Sequence, residues 1–290
     1  MTIKKIGVLG AGSMGGGIAH LAAAKGFEVV LCDVEQRFVE GAVKRIAGFM
    51  DKSIAKQKMT VEEKEATLKR ITITTNMEDF ASVELVIEAI FEDLEIKKSA
   101  FEKLDKICGP ETIFGSNTSS MSITALAAAT TRPDKVVGLH FFNPPLIMRL
   151  VEVIRGYYTS DETVKLASEV SLGMGKTPVV VKKDTPGFIV NRIMMPQFLE
   201  AIRIVEEGIA TPEDIDTAVK LGLNYPMGPF ELMDFTGVEI SVHVADYLFN
   251  ESKDMKWNSP EPIKALVRAG RLGKKTGAGW FDYNIEKGGN

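Results

Sequence analysis

The stretch Ile6-Gly7-Val8-Leu9-Gly10-Ala11-Gly12-Ser13-Met14-Gly15 decides the fold. Its apolar run, Ile6 to Leu9, reads as a buried strand, and Ile18, Ala19, Leu21 and Ala22 follow the glycines at helical spacing. Strand, glycine turn and helix in that order make a cradle for a pyrophosphate. Gly10 permits the tight turn, Gly12 lets the anion approach bare backbone, and Gly15 lets the helix pack on the strand. The helix N-terminus turns unpaired N–H groups and the positive end of its dipole toward the anion. Ala11, Ser13 and Met14 complete this cofactor contact. Glu28-Val29-Val30-Leu31-Cys32-Asp33 then supplies a second strand ending in a carboxylate. Asp33 can accept hydrogen bonds from both hydroxyls of an adenosine ribose and would repel a 2′-phosphate, which favours NAD over NADP. Arg37, a helical turn further on, carries the opposite reading, because its guanidinium could meet a 2′-phosphate.

Outward from this unit, strand and helix alternate to about residue 185. Apolar runs at Leu85 to Ala89, Thr112 to Gly115, Val136 to Leu139, Leu150 to Ile154 and Val179 to Val181 predict further strands. The fold class is α/β, a Rossmann-type, doubly wound, mostly parallel sheet. A long excursion follows the second strand. Phe38, Ala42, Ile46 and Phe49 share one helical face, and Thr60-Val61-Glu62-Glu63 forms a capping box for another helix, so a helical hairpin is expected to project over about 36–70. Past Asp184-Thr185-Pro186-Gly187 the pattern is helical throughout. Thr211-Pro212-Glu213-Asp214 starts one helix and Gly222 stops it. The expected division is an NAD-binding domain over 1–186 and an all-α domain over 187–290. In the latter, Ile193, Phe198, Ile202 and Val205 lie at core spacing while Met194 and Met195 leave another face apolar, a surface suited to a second subunit.

At 290 residues, with 45% hydrophobic content, the chain can build one or two sizeable cores. Its 35 basic and 39 acidic residues give a net charge of −4, which points to neither nucleic acid nor a membrane surface. Cys32 and Cys108 lack the spacing of a disulfide framework or a metal site and read as buried thiols in a reducing compartment. No metal is expected. Met1-Thr2-Ile3-Lys4-Lys5 runs straight into the first strand and no apolar run approaches ~18 residues, so neither signal segment nor membrane span is expected and the reading is cytoplasmic.

Chemistry in such a sheet belongs where the strands end. His140 closes the strand Val136-Val137-Gly138-Leu139-His140, which puts a titratable imidazole at that edge. His20 and His243 lie on helical stretches and read as structural. Glu152 interrupts the apolar strand Leu150-Val151-Glu152-Val153-Ile154, and a carboxylate buried there needs a partner. His140 is a suitable one: Glu152 would hold one ring nitrogen and stabilise the imidazolium formed when the other takes a proton. The alternative places Glu152 on an edge strand facing water.

Ser116-Asn117-Thr118-Ser119-Ser120, His140-Phe141-Phe142-Asn143-Pro144, Leu150-Val151-Glu152-Val153, Asp184-Thr185-Pro186-Gly187-Phe188-Ile189-Val190-Asn191-Arg192, Tyr225-Pro226-Met227-Gly228-Pro229 and Gly273-Lys274-Lys275-Thr276-Gly277 together resemble the L-3-hydroxyacyl-CoA dehydrogenase family. The resemblance spans nearly the whole chain, and length and layout are nearest the compact members acting on 3-hydroxybutyryl-CoA. It implies NAD as cofactor, an acyl-CoA substrate, His140 as general base or acid paired to Glu152, and Ser119 and Asn191 as catalytic donors to the reacting oxygen. It further implies cofactor contacts at Glu92, Lys97, Ser119, Asn143 and Lys275, and a homodimer. By themselves, Glu92 and Lys97 read as a solvated helix start, and Ser119 as the cap of the following helix. Lys52 and Lys56, four apart on the hairpin, could present two ammonium groups to the phosphates of CoA, or lie in solvent. Two other readings stand beside these: a dehydrogenase of the same fold acting on a free hydroxy acid, and a structural protein like the lens λ-crystallins. The complete set Ser119, His140, Glu152 and Asn191 weighs against the second, since no packing requirement selects all four.

Overall fold

Eight strands form one sheet in the order β3-β2-β1-β4-β5-β6-β7-β8, in a computed structural model that describes residues 3–283. The strands are β1 (Lys5–Leu9), β2 (Glu28–Cys32), β3 (Ile71–Thr74), β4 (Leu85–Glu88), β5 (Ile113–Ser116), β6 (Val136–Phe141), β7 (Leu150–Ile154) and β8 (Thr177–Val181). Every neighbouring pair is parallel except β6 and β7. The chain between Phe141 and Leu150 is too short for a parallel crossover, so β7 must turn back beside β6. The helices are α1 (Ser13–Ala24), α2 (Gln36–Ala55), α3 (Val61–Lys69), α4 (Leu94–Ile107), α5 (Ile123–Ala127) and α6 (Asp161–Gly173). The chain divides into two compact units, Met1–Thr185 and Pro186–Asn290.

The core of the first unit joins Ile6, Val8 and Leu31 of the inner strands to Ile18 and Ala22 of α1 and Val151 and Val153 of β7. Thr60 and Glu63 close the capping box at the start of α3, as their spacing indicates. Past the expected hairpin, the excursion holds a strand that the apolar pattern did not predict. β3, Ile71-Thr72-Ile73-Thr74, follows α3 without a glycine or proline break and is only half buried at the sheet edge, so its period-two signal is short. The hairpin face is also rotated from the expected one. Val39, Ala42, Ile46 and Met50 are buried, whereas Phe38 and Phe49 are exposed, because two neighbouring apolar stripes run along α2 and only packing on α1 selects between them. Phe49 instead meets buried His20 edge-on, with ring centroids 5.7 Å apart. Burial pushes the His20 pKa down to about 4 and leaves a neutral, structural imidazole.

The second unit consists of α7 (Val190–Glu206), α8 (Pro212–Gly222), α9 (Pro229–Thr236), α10 (Val238–Ser252) and α11 (Glu261–Arg268), with short 3-10 turns and two isolated bridges. Thr211 caps α8 through the Asp214 N–H, and the helix stops at Gly222. Met195, Phe198, Leu199 and Ile202 of α7 pack on Phe230, Met233 and Leu248. Ile193 is not among them. It is 59% exposed, so the buried stripe of α7 starts at Met195 and the expected core face is corrected at that position. Asp216 accepts from the Phe230 and Glu231 N–H groups at the start of α9, and Asp234 from those of Trp280 and Phe281, so two buried acids tie loops to helices. Among the described residues no helix is long and apolar enough to cross a membrane, and no cluster of His, Cys, Asp and Glu could hold a metal.

Candidate active site at the carboxyl edge of the sheet

The turn after β1 passes the end of β4, where the direction of strand succession in the sheet reverses. Gly10 has φ 104°, and a Cβ there would lie 2.5 Å from the Ala89 carbonyl oxygen. A Cβ on Gly15 would lie 1.8 Å from the Gly10 oxygen, whereas one on Gly12 would meet nothing within 4 Å. The turn is therefore closed toward the sheet and open above Gly12, with Gly12 and Ser13 exposed and no side chain capping α1. That arrangement fits an anionic cofactor approaching helix N–H groups.

Both backbone polar groups of Ala11 are held by side chains. Its N–H donates to Asp33 Oδ2 at 2.6 Å, and its carbonyl accepts from Arg45 Nη2 at 2.7 Å. Asp33 lies just past β2, and its Oδ1 accepts the Val34 N–H at 2.7 Å. A carboxylate has roughly four acceptor positions, so two remain for ribose hydroxyls. Arg37 turns onto Glu35, Nε to Oε2 2.7 Å, with its guanidinium 4.8 Å over the Phe38 ring. Its charge is already matched by an acid, which weakens the case for a 2′-phosphate. Arg45 escaped the sequence reading; an arginine midway along an amphipathic helix carries no sign that it reaches a turn so far back in the chain.

Two buried carboxylates lie on inner strands, Glu88 at the end of β4 and Glu152 in the middle of β7. His140 and Glu152 are register partners across the antiparallel β6–β7 pair, which sets their side chains opposite each other on one face. His140 Nδ1 lies 2.7 Å from Glu152 Oε2, with His140 6% and Glu152 0% exposed. Glu152 is covered by β8 rather than open to water, so the edge-strand alternative is set aside. The His140 ring also packs on Phe142, with centroids 4.5 Å apart. Glu88 ends β4, and its carboxylate accepts from Lys97 Nζ at 2.6 Å, Ser116 Oγ at 2.6 Å and the Ile90 N–H at 2.8 Å. Lys97 is 1% exposed and also lies 3.1 Å from Glu92. The solvated helix start is thus overturned at Lys97, which points inward between two acids; Glu92 remains exposed at the surface. Glu88 was not singled out in the sequence, although a carboxylate closing an apolar strand is the same signal that drew attention to Glu152.

Glu92 Oε1 accepts the Ser119 N–H at 3.1 Å and the Thr118 hydroxyl. The cap of α5 is Ser122, whose hydroxyl accepts from the Ala125 N–H, so Ser119 is not a helix cap. Asn117 Oδ1 accepts from the Phe141 N–H at 2.9 Å and ties the end of β5 to the residue after His140. Asn143 is exposed in the β6–β7 connection, which Lys176 steadies by donating to the Met148 carbonyl at 2.8 Å and to that of Pro145. Lys52 is exposed on α2, and Lys56, also exposed, is the C-cap just beyond its last turn. In the second unit, Asn191 is 8% exposed in the first turn of α7 and Lys275 pairs with Glu239.

Residues 5–185 match the NAD-binding domain of 3-hydroxyacyl-CoA dehydrogenase, and residues 187–283 match the C-terminal domain of the same family. The chain belongs to the 3-hydroxyacyl-CoA dehydrogenase family, and its cofactor is NAD. A probable 3-hydroxybutyryl-CoA dehydrogenase of Deinococcus radiodurans is 47% identical over 283 residues, covering 96% of this chain and 100% of the relative. The mitochondrial hydroxyacyl-coenzyme A dehydrogenase of Homo sapiens is 44% identical, covering 97% of this chain and 91% of its own. The crystal structure of (S)-3-hydroxybutyryl-CoA dehydrogenase PaaH1 from Ralstonia eutropha superposes with a TM-score of 0.94 at 42% identity, covering 98% of this chain and 100% of that one.

From Asp33 and the engaged Arg37, NADH is expected to bind at least ~10-fold tighter than NADPH, about 1.4 kcal/mol. Asp33→Ser should narrow that gap. Fluorescence titration with both nucleotides measures it, and equal binding by the wild type would contradict the role given to Asp33.

Proposed function

We propose that this protein interconverts (S)-3-hydroxybutyryl-CoA and acetoacetyl-CoA, with His140 as the acid–base group. The observation that carries the reading is the buried His140–Glu152 pair at the carboxyl edge of an NAD-binding sheet. NAD, when bound, supplies the hydride acceptor at its nicotinamide. Glu152 accepts the Nδ1 proton of His140, which makes Nε2 the nitrogen that exchanges a proton with the C3 oxygen. The imidazolium so formed is stabilised by a carboxylate in a site with little water to screen it. In the reductive direction the same ring returns the proton. Ser119 and Asn191 are assigned to the reacting oxygen, where small polar donors stabilise developing negative charge. Glu92, Lys97, Asn143 and Lys275 are assigned to the cofactor. The relatives' names support an acyl-CoA substrate and, among acyl groups, the four-carbon one.

Activity is expected with acetoacetyl-CoA and NADH and to be far weaker with free acetoacetate. His140→Gln should lower kcat by ~10²–10⁴, roughly 3–5 kcal/mol of transition-state stabilisation, with little change in NADH affinity. A variant keeping more than about a tenth of wild-type turnover would remove His140 from the acid–base role.

The hairpin is assigned to the nucleotide end of CoA through Lys52 and Lys56, both exposed on or just past α2. A contact remote from the reacting carbon acts as uniform binding. Replacing both lysines by alanine is therefore expected to raise the KM for acetoacetyl-CoA several-fold, leave kcat in place, and hardly affect a pantetheine thioester lacking those phosphates. Equal losses on both thioesters would place the damage in hairpin packing.

A homodimer built through the helical unit completes the reading. Ile193 on α7, Phe235 on α9 and Ile240 on α10 are exposed apolar side chains of that unit, and a second copy of the chain would cover such surface. Light scattering at micromolar concentration should give twice the 31.7 kDa chain mass, and a monomer would refute the assignment.

A further inference from the structure

We propose that Glu88 is a positioning residue for the Ser119 turn, acting through Lys97 and Glu92. The Lys97 ammonium is buried in the first turn of α4, the positive end of that helix, where a cation is disfavoured both by desolvation and by the dipole. Two carboxylates offset this. Glu88 is the inner one, 0% exposed, and its own position is fixed by Ser116 Oγ and the Ile90 N–H as well as by Lys97. Glu92 is the outer one, with its side chain 39% exposed. One of its oxygens pairs with Lys97 at 3.1 Å while the other accepts the Ser119 N–H at 3.1 Å and the Thr118 hydroxyl. The Thr118 oxygen then accepts the Met121 N–H at 3.0 Å. A continuous chain of charge-assisted contacts thus leads from the buried end of β4 to the backbone of the turn carrying Ser119.

Glu88 divides the attraction of Lys97 between two acids and so leaves one Glu92 oxygen for the turn. Without the Glu88 charge, the buried ammonium keeps Glu92 as its acid, with the Ile90 carbonyl 3.5 Å away as a neutral acceptor. Glu92 is then drawn inward, and the Ser119 N–H loses its acceptor. The effect on catalysis rests on the reading of Ser119 as a substrate contact, whereas the effect on the turn does not.

The test is Glu88→Gln in the full-length protein, alone and combined with Ser119→Ala, read by turnover and by amide exchange. Misplacing a contact by about an ångström costs up to ~10²-fold, so Glu88→Gln should lower kcat with acetoacetyl-CoA by about tenfold or more. At saturating NADH, so that the cofactor contacts assigned to Glu92 and Lys97 do not enter, the same change in the Ser119→Ala background should cost less than about threefold, because the hydroxyl contact that the turn positions is already gone. A purely structural role would make the two losses multiply. Independently of any substrate, amide exchange at Ser119 should accelerate by about tenfold while exchange in β2 stays unchanged. If Glu88→Gln fails to fold, Glu88→Asp, which keeps the charge but shortens its reach to Lys97 and leaves the Ser116 hydroxyl on the Thr118 N–H, should move both readouts the same way by smaller factors. Unchanged exchange at Ser119, or multiplicative kcat losses, overturns the proposal. A wild type inactive on acetoacetyl-CoA refutes the functional reading instead, and the exchange measurement still decides the role of Glu88.

Discussion

A carboxylate inside an apolar sheet is stable only with a partner at contact distance, since removing it from water costs several kcal/mol. Two such groups lie fully buried on inner strands, Glu88 at the end of β4 and Glu152 in the middle of β7 opposite His140. Each has recruited a basic group from elsewhere in the chain: Lys97 from the first turn of α4 and His140 from the neighbouring strand. The basic groups are thereby held in one geometry without help from flexible loops.

The two pairs are built differently. Glu152 meets His140 because β6 and β7 are antiparallel, and an antiparallel register sets opposed residues face to face. Glu88 sits among parallel strands, and its register partner Ser116 donates to it while the ion partner comes from the helix that follows. The reversal at β7 follows from the short link after β6, and the buried ammonium of Lys176 holds that link through backbone carbonyls.

The glycine turn obeys the same economy. Its backbone must approach the sheet so closely that a Cβ on Gly10 or Gly15 would overlap neighbouring carbonyls, yet the space above Gly12 is empty of protein. Asp33, just past β2, holds the Ala11 N–H, and Arg45 of α2 holds the Ala11 carbonyl. The hairpin therefore braces the turn as well as extending from it.

Much of this was legible in the chain. Ile6 to Gly15 with Asp33 announced a Rossmann-type unit because strand, turn and helix there are specified by local steric needs. Glu152 announced a buried partner because a charge inside an apolar run violates the pattern around it, and Thr60–Glu63 and Thr211–Asp214 announced helix starts through contacts three residues apart. What stayed hidden depended on choices between nearly equal local options. α2 and α7 each carry more apolar positions than one face can bury, so the stripes through Met50 and Met195 were selected only by the elements packed on them. Lys97 looked like a surface lysine because nothing near it in sequence reveals that Glu88 lies beside it. Short-range sterics and capping determined which elements form; long-range pairing of charges and faces, which has no sequence period, decided which side chains they bring together.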